Sequence, residues 1–370
     1  MSARFLTVVL ERAFNMRDGF GREIDYMRIS VIDSCNLNCY YCNPCDNNEH
    51  CHALNILSVK EVLCIVRAAT RLGIKHFRLT GGEPLLHPQL DEMVLQIKKI
   101  PGVSSVSLTT NAVLLVQHAK WLKEAGIDSI NVSLDTIDAS EYERITKKPL
   151  LEEVKHGINA AIECGIRVKI NVVLTPQTDV VALTRYVAKK GTDIRFIEMM
   201  PVGEGHTNGV EPYKKVIGTL SKLYGEPCRI NTEKTKEINS GNDKRKIPDN
   251  GPAEYYIFPE LGIRVGLIQA IHGKFCDTCN RIRVTADGRL MPCLGSSVTM
   301  DLVPDSWDFA DDVEKDFAIV RALRAAIKAK PRCHNFNDNA VTYIKTTETK
   351  TTEIEAAEVN AARNMSRIGG

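Results

Sequence analysis

The chain has 370 residues, of which 44% are apolar and 25% are charged, and its formal net charge at neutral pH is +2. This composition is typical of a soluble globular protein that can bury a core without disulfide bonds, and the length suggests two domains or one large domain with an extension. The small net charge gives no electrostatic reason to expect nucleic-acid binding, so an anionic ligand would have to be held by local basic residues.

The N-terminal segment and the cysteines predict a reducing compartment. The apolar run Phe5–Leu10 is too short for the core of a signal peptide, and Glu11 and Arg12 follow it. The chain contains 12 cysteines, and clustered thiols in a chain of this length bind metal more often than they form disulfide bonds. No stretch approaches the ~20 apolar residues of a membrane span. We therefore expect a cytoplasmic protein that does not associate with membranes.

Residues 26 to about 200 alternate between strand-like and helix-like segments. The strand candidates are short and rich in β-branched residues, and turn residues flank most of them. They are Tyr26–Val31, His76–Thr80, Val106–Thr110, Ser129–Leu134, Arg167–Leu174 and Ile194–Met199. The amphipathic segments between them are Ser58–Arg71, Gln89–Lys99, Gln117–Ala125, Glu152–Cys164 and Val180–Lys190. Six such repeats predict an α/β fold with a parallel sheet, either an incomplete or a full barrel.

Functional motifs follow four consecutive predicted strands. Three cysteines lie just past the first strand, and the next three strands end in Gly81-Gly-Glu-Pro84, Thr109-Thr-Asn111 and Ser133-Leu-Asp135. In barrels of this class the active site is built from loops at the carboxyl ends of the strands. These four motifs therefore predict one ring of functional loops.

The strand–helix alternation ends after about residue 205. Residues 232–252 read as a polar loop, and a turn is predicted at Asp287–Gly288. The later elements are predicted as strands Glu254–Phe258, Ile263–Ile268 and Arg281–Thr285 and a helix around Ala318–Ala329. We expect three segments, namely a partial barrel in residues 1–205, a C-terminal domain in 206–335 and a tail in 336–370.

Two cysteine triads carry the chemistry. The first has the spacing Cys-x3-Cys-x2-Cys and the second Cys-x2-Cys-x13-Cys. They comprise Cys35, Cys39 and Cys42, and Cys276, Cys279 and Cys293. A cubane iron–sulfur cluster normally takes four thiolates, so three would leave one iron open to a substrate or cofactor. A zinc site is the alternative, since Cys45, His50, Cys51 and His52 could supply a further ligand to the first triad.

The first triad, together with the Gly-Gly-Glu-Pro strand end, resembles the radical S-adenosylmethionine superfamily. The resemblance implies an incomplete (β/α)6 TIM-like barrel with a 4Fe-4S cluster. The fourth iron of that cluster would chelate S-adenosylmethionine and supply the electron that yields a 5′-deoxyadenosyl radical.

The second triad, with Asn280-Arg-Ile-Arg283, Thr285-Ala-Asp-Gly288 and the terminal Gly369-Gly370, is similar to the GTP 3′,8-cyclase family of molybdenum cofactor biosynthesis. The resemblance extends from about Arg28 to Gly370. It implies a lyase with a C-terminal extension that carries a second 4Fe-4S cluster, whose open iron binds guanine. The radical would take hydrogen from ribose C3′, and the resulting sugar radical would attack C8 of guanine.

The resemblance also implies site residues, each by its match to a family motif. The S-adenosylmethionine contacts are Tyr41, Gly82, Ser133 and Met200. The GTP contacts are Arg28, Arg78, Thr109, Lys169, Arg281, Ile282 and Arg283. Catalytic roles fall to Arg281, Arg283, Gly369 and Gly370. The family further implies a homodimer, an electron donor, and cyclic pyranopterin monophosphate synthase as the next enzyme in the pathway.

Two positions depart from the family pattern, and the segment after the first triad carries the extra cysteines Cys45 and Cys51. His76 stands where the family usually carries a lysine that contacts the triphosphate. Ala112 stands where the family carries a glycine, and if that position needs a positive φ the alanine costs about 1 kcal/mol. Cys333 is a spare thiol in the C-terminal region, and the sequence gives it no role.

Two other functions remain open at this stage. One is a radical S-adenosylmethionine enzyme that acts on a peptide or other substrate, with the second cluster as an auxiliary redox site. The other is a catalytically silent iron–sulfur binding or sensing protein, which the intact strand-end motifs disfavour.

Overall fold

The computed structural model describes residues 16–42, 56–202, 209–230, 251–296, 298–302, 312–334, 336, 342–344 and 354–355. Most of the predicted 232–252 loop, as well as Cys45, Cys51 and the Gly369–Gly370 terminus, lies outside these residues.

The described elements form one mixed sheet with helices packed against it. The first six strands are β1 Tyr26–Ser30, β2 His76–Thr80, β3 Ser105–Thr110, β4 Ser129–Ser133, β5 Val168–Leu174 and β6 Asp193–Glu198. The later strands are β7 Cys228–Ile230, β8 Glu254–Ile257, β9 Arg264–Ile268, β10 Arg281–Val284, β11 Arg289–Met291, β12 Val298–Asp301, β13 Thr342–Ile344 and β14 Ile354–Glu355. The helices are α1 Val59–Arg71, α2 Leu90–Lys98, α3 Leu115–Glu124, α4 Ala139–Thr146, α5 Leu151–Glu163, α6 Val180–Lys189, α7 Gly218–Tyr224 and α8 Asp312–Lys328.

Strands β1 to β6 lie side by side in chain order and run parallel, as expected for an incomplete (β/α)6 barrel. Two strands from the C-terminal half extend this sheet at its edges: β10 pairs with β1 and β9 pairs with β6, both in parallel. Residues 269–280 lead from the carboxyl end of β9 to the start of β10, so this segment connects the two edges of the six-stranded sheet. Strands from both sides of residue 205 share one sheet, and the division into separate domains stays a prediction.

Local sequence explains where the helices begin. The Ser58 hydroxyl accepts a bond from the Glu61 amide while the Glu61 carboxylate accepts from the Ser58 amide, which is a capping box for α1. Asp138 and Asp179 cap α4 and α6 in the same position. The apolar faces of the helices and the outer face of the sheet form the main core, with Phe77, Phe196 and Phe258 among its largest fully buried side chains.

The predicted elements of the first half agree with the structure to within one or two residues at each end, and β2 has the predicted bounds. The prediction missed α4, α7 and the short strands β7, β11, β12, β13 and β14. The C-terminal helix α8 starts at Asp312, six residues before its predicted start, which was placed at Ala318. Ala112 has a φ of 65°, so this position does use the left-handed region that favours glycine.

The Gly-Gly-Glu-Pro strand end packs directly on the loop of the first triad. A Cβ atom added to Gly81 would lie 2.3 Å from the Ile32 carbonyl oxygen, and one added to Gly82 would lie 2.2 Å from the Ser34 carbonyl oxygen. The Gly82 amide donates to the Ile32 carbonyl (2.8 Å), and the Glu83 amide donates to the Ser34 carbonyl (2.8 Å). Glycine at these positions allows two backbones to approach within hydrogen-bond distance.

We expect Gly82→Ala to displace the loop of the first triad, because its Cβ would overlap backbone atoms that cannot move independently. Overpacking of this kind destabilises a protein by about 1–3 kcal/mol. Chemical denaturation and the iron content of oxygen-free protein would measure the effect. The matched control is Gly218→Ala at the start of α7, where an added Cβ meets nothing within 4 Å. Equal stability and iron content in both variants would contradict the packing argument.

Candidate active site

All six cysteines of the two triads line one cavity of about 310 Å3 inside the sheet, the central cavity. Strand-end residues that line it include Gly82, Thr109 and Ser133, so the predicted strand-end motifs lie around one cavity. The second triad lies toward the opposite end of the barrel, because Cys276 and Cys279 precede β10 and β10 is parallel to β1. The cavity therefore extends between two groups of thiols.

The loop of the first triad is held in shape by backbone hydrogen bonds. The Cys42 amide donates to the Cys39 carbonyl (2.9 Å), which closes a turn around the triad. The Asn38 and Tyr40 amides donate to carbonyls at the C-terminal end of α4, at 3.0 and 3.1 Å. The helix α4, which the sequence did not predict, is thus a direct support of this loop.

Glu83 connects the glycine-rich strand end to the next strand. Its buried carboxylate accepts bonds from the Thr110 hydroxyl (2.6 Å), the Asn111 amide (2.7 Å) and the Leu85 amide (3.0 Å). Burial raises the pKa of this carboxyl to about 7, and the three hydrogen bonds partly offset that rise. The Asn111 side chain in turn donates to Asn36 Oδ1 (2.7 Å), next to Cys35. The network fixes the position of the first triad relative to β3.

Asp135 performs the same task on the other side of the loop. The Tyr41 hydroxyl donates to Asp135 Oδ2, and the Val173 amide donates to Asp135 Oδ1 (2.8 Å). Burial raises the pKa of Asp135 to about 6 and that of Tyr41 well above its usual range. Tyr41 is therefore oriented by a carboxyl at the end of β4, directly beside the thiols of Cys39 and Cys42.

The first triad has the chemistry of a buried cation site. Burial, followed by the nearby Glu83 carboxyl, raises the pKa of Cys35 to about 12. Burial raises the pKa of Cys42 to about 11 and that of Cys39 well above its usual range. Three thiols that resist ionisation on their own need cationic iron to exist as thiolates. The donor set thus fits a cluster with three protein ligands.

The second triad is assembled by two separate segments. Cys276 and Cys279 belong to the segment between β9 and β10, and Cys293 follows β11. Burial alone would raise the pKa of Cys279, but the charges of Arg281 and Lys330 lower it to about 6. Burial raises the pKa of Cys276. Cys279 is therefore prepared to ligate a metal as a thiolate.

Two buried cations hold these segments together. Lys330 Nζ donates to the carbonyls of Arg281 and Pro292, both at 2.8 Å. Arg22 Nη1 donates to the Cys276 carbonyl (2.6 Å) and to the Arg332 carbonyl (2.9 Å). Each cation bonds main-chain oxygens of residues that are distant in sequence, so each fixes the relative position of the second triad's ligands.

The described residues hold no complete set of ligands for a single zinc ion. Within the part of the chain that the structure describes, no three Cys, His, Asp or Glu side chains converge as ligands of one metal ion. Zinc would need ligands at about 2.0–2.3 Å from one centre, whereas a cluster distributes its thiolates over several irons. Cys45, His50, Cys51 and His52, which the zinc alternative required, lie outside the described residues.

Several buried basic side chains line the central cavity. Burial and the guanidinium groups of Arg283, Arg78 and Arg281 lower the pKa of Arg28 well below its usual range. Burial and Arg281 lower the pKa of Arg283 to about 10. Burial would raise the pKa of Tyr26, but Arg78 and Arg28 lower it. Such mutual repulsion shows a strongly positive site that suits a polyanion.

Comparison with known proteins agrees with this site. The model of the radical SAM superfamily matches residues 29–182, and the model named Molybdenum Cofactor Synthesis C matches residues 192–336. The GTP 3′,8-cyclase of Clostridium perfringens (strain SM101 / Type A) is 35% identical over 324 residues, covering 87% of this chain and 95% of the relative. That of Pelotomaculum thermopropionicum is 36% identical over 327 residues, covering 86% and 95%. The chain belongs to the GTP 3′,8-cyclase family.

Similarity to a solved structure of low sequence identity supports the fold alone. Streptococcus suis SuiB bound to the precursor peptide SuiA has a TM-score of 0.55 and 14% identity, covering 79% of this chain. The chain spans 62% of the length of SuiB.

Most residues that the GTP 3′,8-cyclase resemblance implied are brought together in the central cavity. Besides the six cysteines, they are Tyr41, Gly82, Ser133, Met200, Arg28, Arg78, Thr109, Arg281 and Arg283. Lys169 and Ile282 are buried but do not line the cavity. Ile282 alternates with its neighbours along β10 and contributes its side chain to the core. Gly369 and Gly370 lie outside the described residues.

His76 does not occupy the place of the family's lysine in the cavity. Its Nδ1 lies 2.8 Å from the Ser105 hydroxyl, and its ring stacks on Tyr26. It is absent from the cavity lining. Burial lowers its pKa, which disfavours a positive charge on this ring.

Several polar residues that line the cavity were not predicted from the sequence. They include Asn131, Asn171, Arg195, Glu198 and Lys330. Four of them alternate with apolar residues along β4, β5 and β6, and this alternation inside strands that look apolar was the available signal. Lys330 follows α8, and nothing in its local sequence marks it.

We expect Arg22→Lys to disturb the second triad selectively. Lysine keeps the charge beside Asp18 but lacks the planar fork that donates to the Cys276, Pro331 and Arg332 carbonyls together. Iron content should fall from about eight toward about four per chain, while the first cluster persists. Iron analysis and electron paramagnetic resonance on oxygen-free protein would measure this.

The matched control for Arg22→Lys is Arg229→Lys on β7. Arg229 forms an exposed pair with Glu254 of β8, and such pairs contribute little. A full complement of iron in Arg22→Lys, equal to that of the control, would show that Arg22 does not position the second triad.

Proposed function

We propose that this protein is a GTP 3′,8-cyclase that converts GTP to (8S)-3′,8-cyclo-7,8-dihydroguanosine 5′-triphosphate, the first step of molybdenum cofactor biosynthesis. The observation that carries the proposal is that both three-cysteine sets line one cavity with basic side chains between them. Each set would hold a 4Fe-4S cluster with one open position. Residues 1–205 would then serve mainly to generate the radical, residues 206–335 to hold the nucleotide, and residues 336–370 to bring the Gly369–Gly370 end to the site.

The residues at the carboxyl ends of the strands would bind S-adenosylmethionine. Gly82 lies against the first triad's loop, Tyr41 is oriented by Asp135, and Ser133 and Met200 line the same part of the cavity. When bound there, the first cluster supplies the electron for reductive cleavage of S-adenosylmethionine. The surrounding side chains exclude water and keep the reacting groups close, which a primary-carbon radical requires.

The basic residues would bind the triphosphate. Arg28, Arg78 and Arg283 stand in register on three neighbouring strands, so their guanidinium groups face one region of the cavity. Thr109 accepts a bond from Arg78 Nη1 (3.5 Å) and lies at the edge of this region. Arg281 adjoins Cys279 and would connect the nucleotide to the second triad, where the guanine base would occupy the open position. Lys169 and the backbone of Ile282 remain proposed GTP contacts.

We also propose the partners that this reaction requires. A low-potential electron donor must reduce the first cluster, and cyclic pyranopterin monophosphate synthase would consume the cyclised nucleotide. A homodimer and a cytoplasmic location fit the family and the need for reduced thiols. Among the described residues, no helix is long and apolar enough to cross a membrane.

Turnover of GTP is the direct test. Oxygen-free protein with about eight irons per chain, given GTP, S-adenosylmethionine and a strong reductant, should form 5′-deoxyadenosine and the cyclised nucleotide in equal amounts. Replacing Cys35 with Ala should abolish 5′-deoxyadenosine, because the first cluster loses a ligand. Chromatography with mass detection would quantify both products.

A second variant distinguishes the substrate from the radical chemistry. Cys279→Ala should still cleave S-adenosylmethionine but form no cyclised nucleotide, since only the second triad is altered. Formation of 5′-deoxyadenosine that does not depend on GTP, with product from a peptide instead, would favour the alternative of a peptide-modifying enzyme.

The triphosphate subsite can be tested without turnover. Inorganic tripolyphosphate should stabilise the cluster-containing protein, because it relieves repulsion among the buried guanidinium groups. At 100 times its dissociation constant, a ligand of the folded state stabilises by about 2.7 kcal/mol. Thermal unfolding should show this shift, and Arg78→Met should diminish it by removing one of the converging cations.

The control for Arg78→Met is Lys60→Met on the exposed side of α1, which removes one positive charge far from the cavity. Its response to tripolyphosphate should equal that of the unmodified protein. Equal shifts in all three proteins would show that binding occurs elsewhere.

A further inference from the structure

Asn131 has a buried side-chain amide with no hydrogen-bond partner. The residue lies in β4, is 1% exposed and lines the central cavity. Among the described residues, neither Oδ1 nor Nδ2 of Asn131 has a hydrogen-bond partner. Buried polar groups in folded proteins are nearly always satisfied, and leaving one unpaired is costly. Because this amide faces a cavity, we expect a bound ligand to supply its missing hydrogen bonds.

The position of Asn131 indicates which part of a ligand it meets. It lies on β4 two residues before Ser133, so both side chains face the cavity and Asn131 lies about 6–7 Å deeper. In register it stands beside Thr109 of β3, which is bonded to Arg78. Asn131 therefore lies between the level of the S-adenosylmethionine contact and the arginines that suit a triphosphate.

The hydrogen-bonding groups of the Asn131 carboxamide limit which part of a ligand it can bind. A carboxamide presents one acceptor and two donor hydrogens, and a hydroxyl can satisfy an acceptor and a donor at the same time. A phosphate oxygen only accepts, and it would leave Asn131 Oδ1 unpaired. The guanidinium groups of the cavity already supply donors for phosphate. A sugar hydroxyl at this depth can satisfy both atoms, since it donates to Oδ1 and accepts from Nδ2.

We propose that Asn131 binds the ribose of the GTP substrate through its 2′-hydroxyl and thereby positions the adjacent C3′–H toward the radical. The inference rests on the proposed function, since it takes GTP as the ligand. It assigns to this residue a discrimination between ribonucleotide and deoxyribonucleotide that the family motifs do not mark.

The test compares the binding of GTP and 2′-deoxyGTP to cluster-loaded protein, without reductant so that no turnover occurs. The unmodified protein should bind 2′-deoxyGTP at least about tenfold more weakly, because the lost hydroxyl leaves the buried amide unpaired. In Asn131→Ala both nucleotides should bind with dissociation constants within about twofold of each other. The loss should therefore fall mainly on GTP.

Stability separates a binding role from a structural one. Because the amide is unpaired among the described residues, Asn131→Ala should unfold at the same temperature as the unmodified protein, or higher, when no nucleotide is present. A side chain that maintained the fold would lower it. Should Asn131→Ala fail to load its clusters, Asn131→Ser gives the same comparison with a smaller change in volume.

The matched control is Asn159→Ala on α5, whose amide oxygen accepts a bond from Lys190 Nζ (2.7 Å) away from the cavity. It should keep the full discrimination between the two nucleotides. Discrimination that persists in Asn131→Ala, or is absent from the unmodified protein, overturns the inference. An equal loss of S-adenosylmethionine affinity would assign Asn131 to the adenosyl ribose and overturn it as well.

The two proposals fail in different ways. If the unmodified protein forms no cyclised nucleotide from GTP, the proposed function fails. If it turns over GTP and rejects 2′-deoxyGTP while Asn131→Ala rejects it equally, the function stands and only the assignment of Asn131 fails.

Discussion

The central constraint on this structure is that two incomplete sets of thiols must face one cavity from opposite ends. The first set follows β1 at the carboxyl end of the barrel, and the second precedes β10 at the other end. Placing the second set there requires β10 to pair with β1 in parallel, and Asn280 to bond Asp25 across 255 positions of sequence. The second set is held in this position by the connection from β9 to β10 and by the cations Arg22 and Lys330.

The interior of the sheet shows the consequence for stability. Barrel interiors of this class are usually filled by layers of branched apolar side chains. Here the inward positions carry Arg28, Arg78, Thr109, Asn131 and Arg195. The guanidinium groups of Arg28 and Arg78 repel each other, and polar atoms of Asn131 and Arg195 have no hydrogen-bond partner among the described residues. The protein therefore relies on the helix–sheet core for its stability. A nucleotide and a sulfonium cofactor bound in the interior would supply partners for these groups.

The sequence predicted those features that depend on local pattern. The β-branched runs gave the six parallel strands, and His76–Thr80 was predicted with its observed bounds. The same method missed α4, because Ala139–Thr146 is short and mostly polar, although its C-terminal end supports the first triad's loop. Local pattern could not give the position of the second triad either, since it depends on pairing between residues far apart in sequence.

Candidate site residues could be proposed from the sequence where a motif marked them, but not where only the fold brings them to the cavity. Cys35, Gly82 and Arg283 belong to recognisable motifs and line the cavity. Asn131 and Arg195 interrupt apolar strands that are buried on both faces, so the inward direction of a side chain cannot be read without the sheet. Lys330 acts through carbonyls of residues 38 and 49 positions away, a contact that no local pattern encodes.

The charged groups around the two triads differ in sign. Near the first triad, the Glu83 and Asp135 carboxyls add to burial in disfavouring negative charge on the thiols. Near the second, Arg281 and Lys330 outweigh burial at Cys279 and favour it. Reduction of a cluster adds negative charge, and nearby charges help to set its potential. We expect the first site to hold the more strongly reducing cluster. This is the site at which the carbon–sulfur bond of S-adenosylmethionine would be broken. The second lies among cations that also attract the triphosphate, so one set of basic residues serves both the nucleotide and the thiolates beside it.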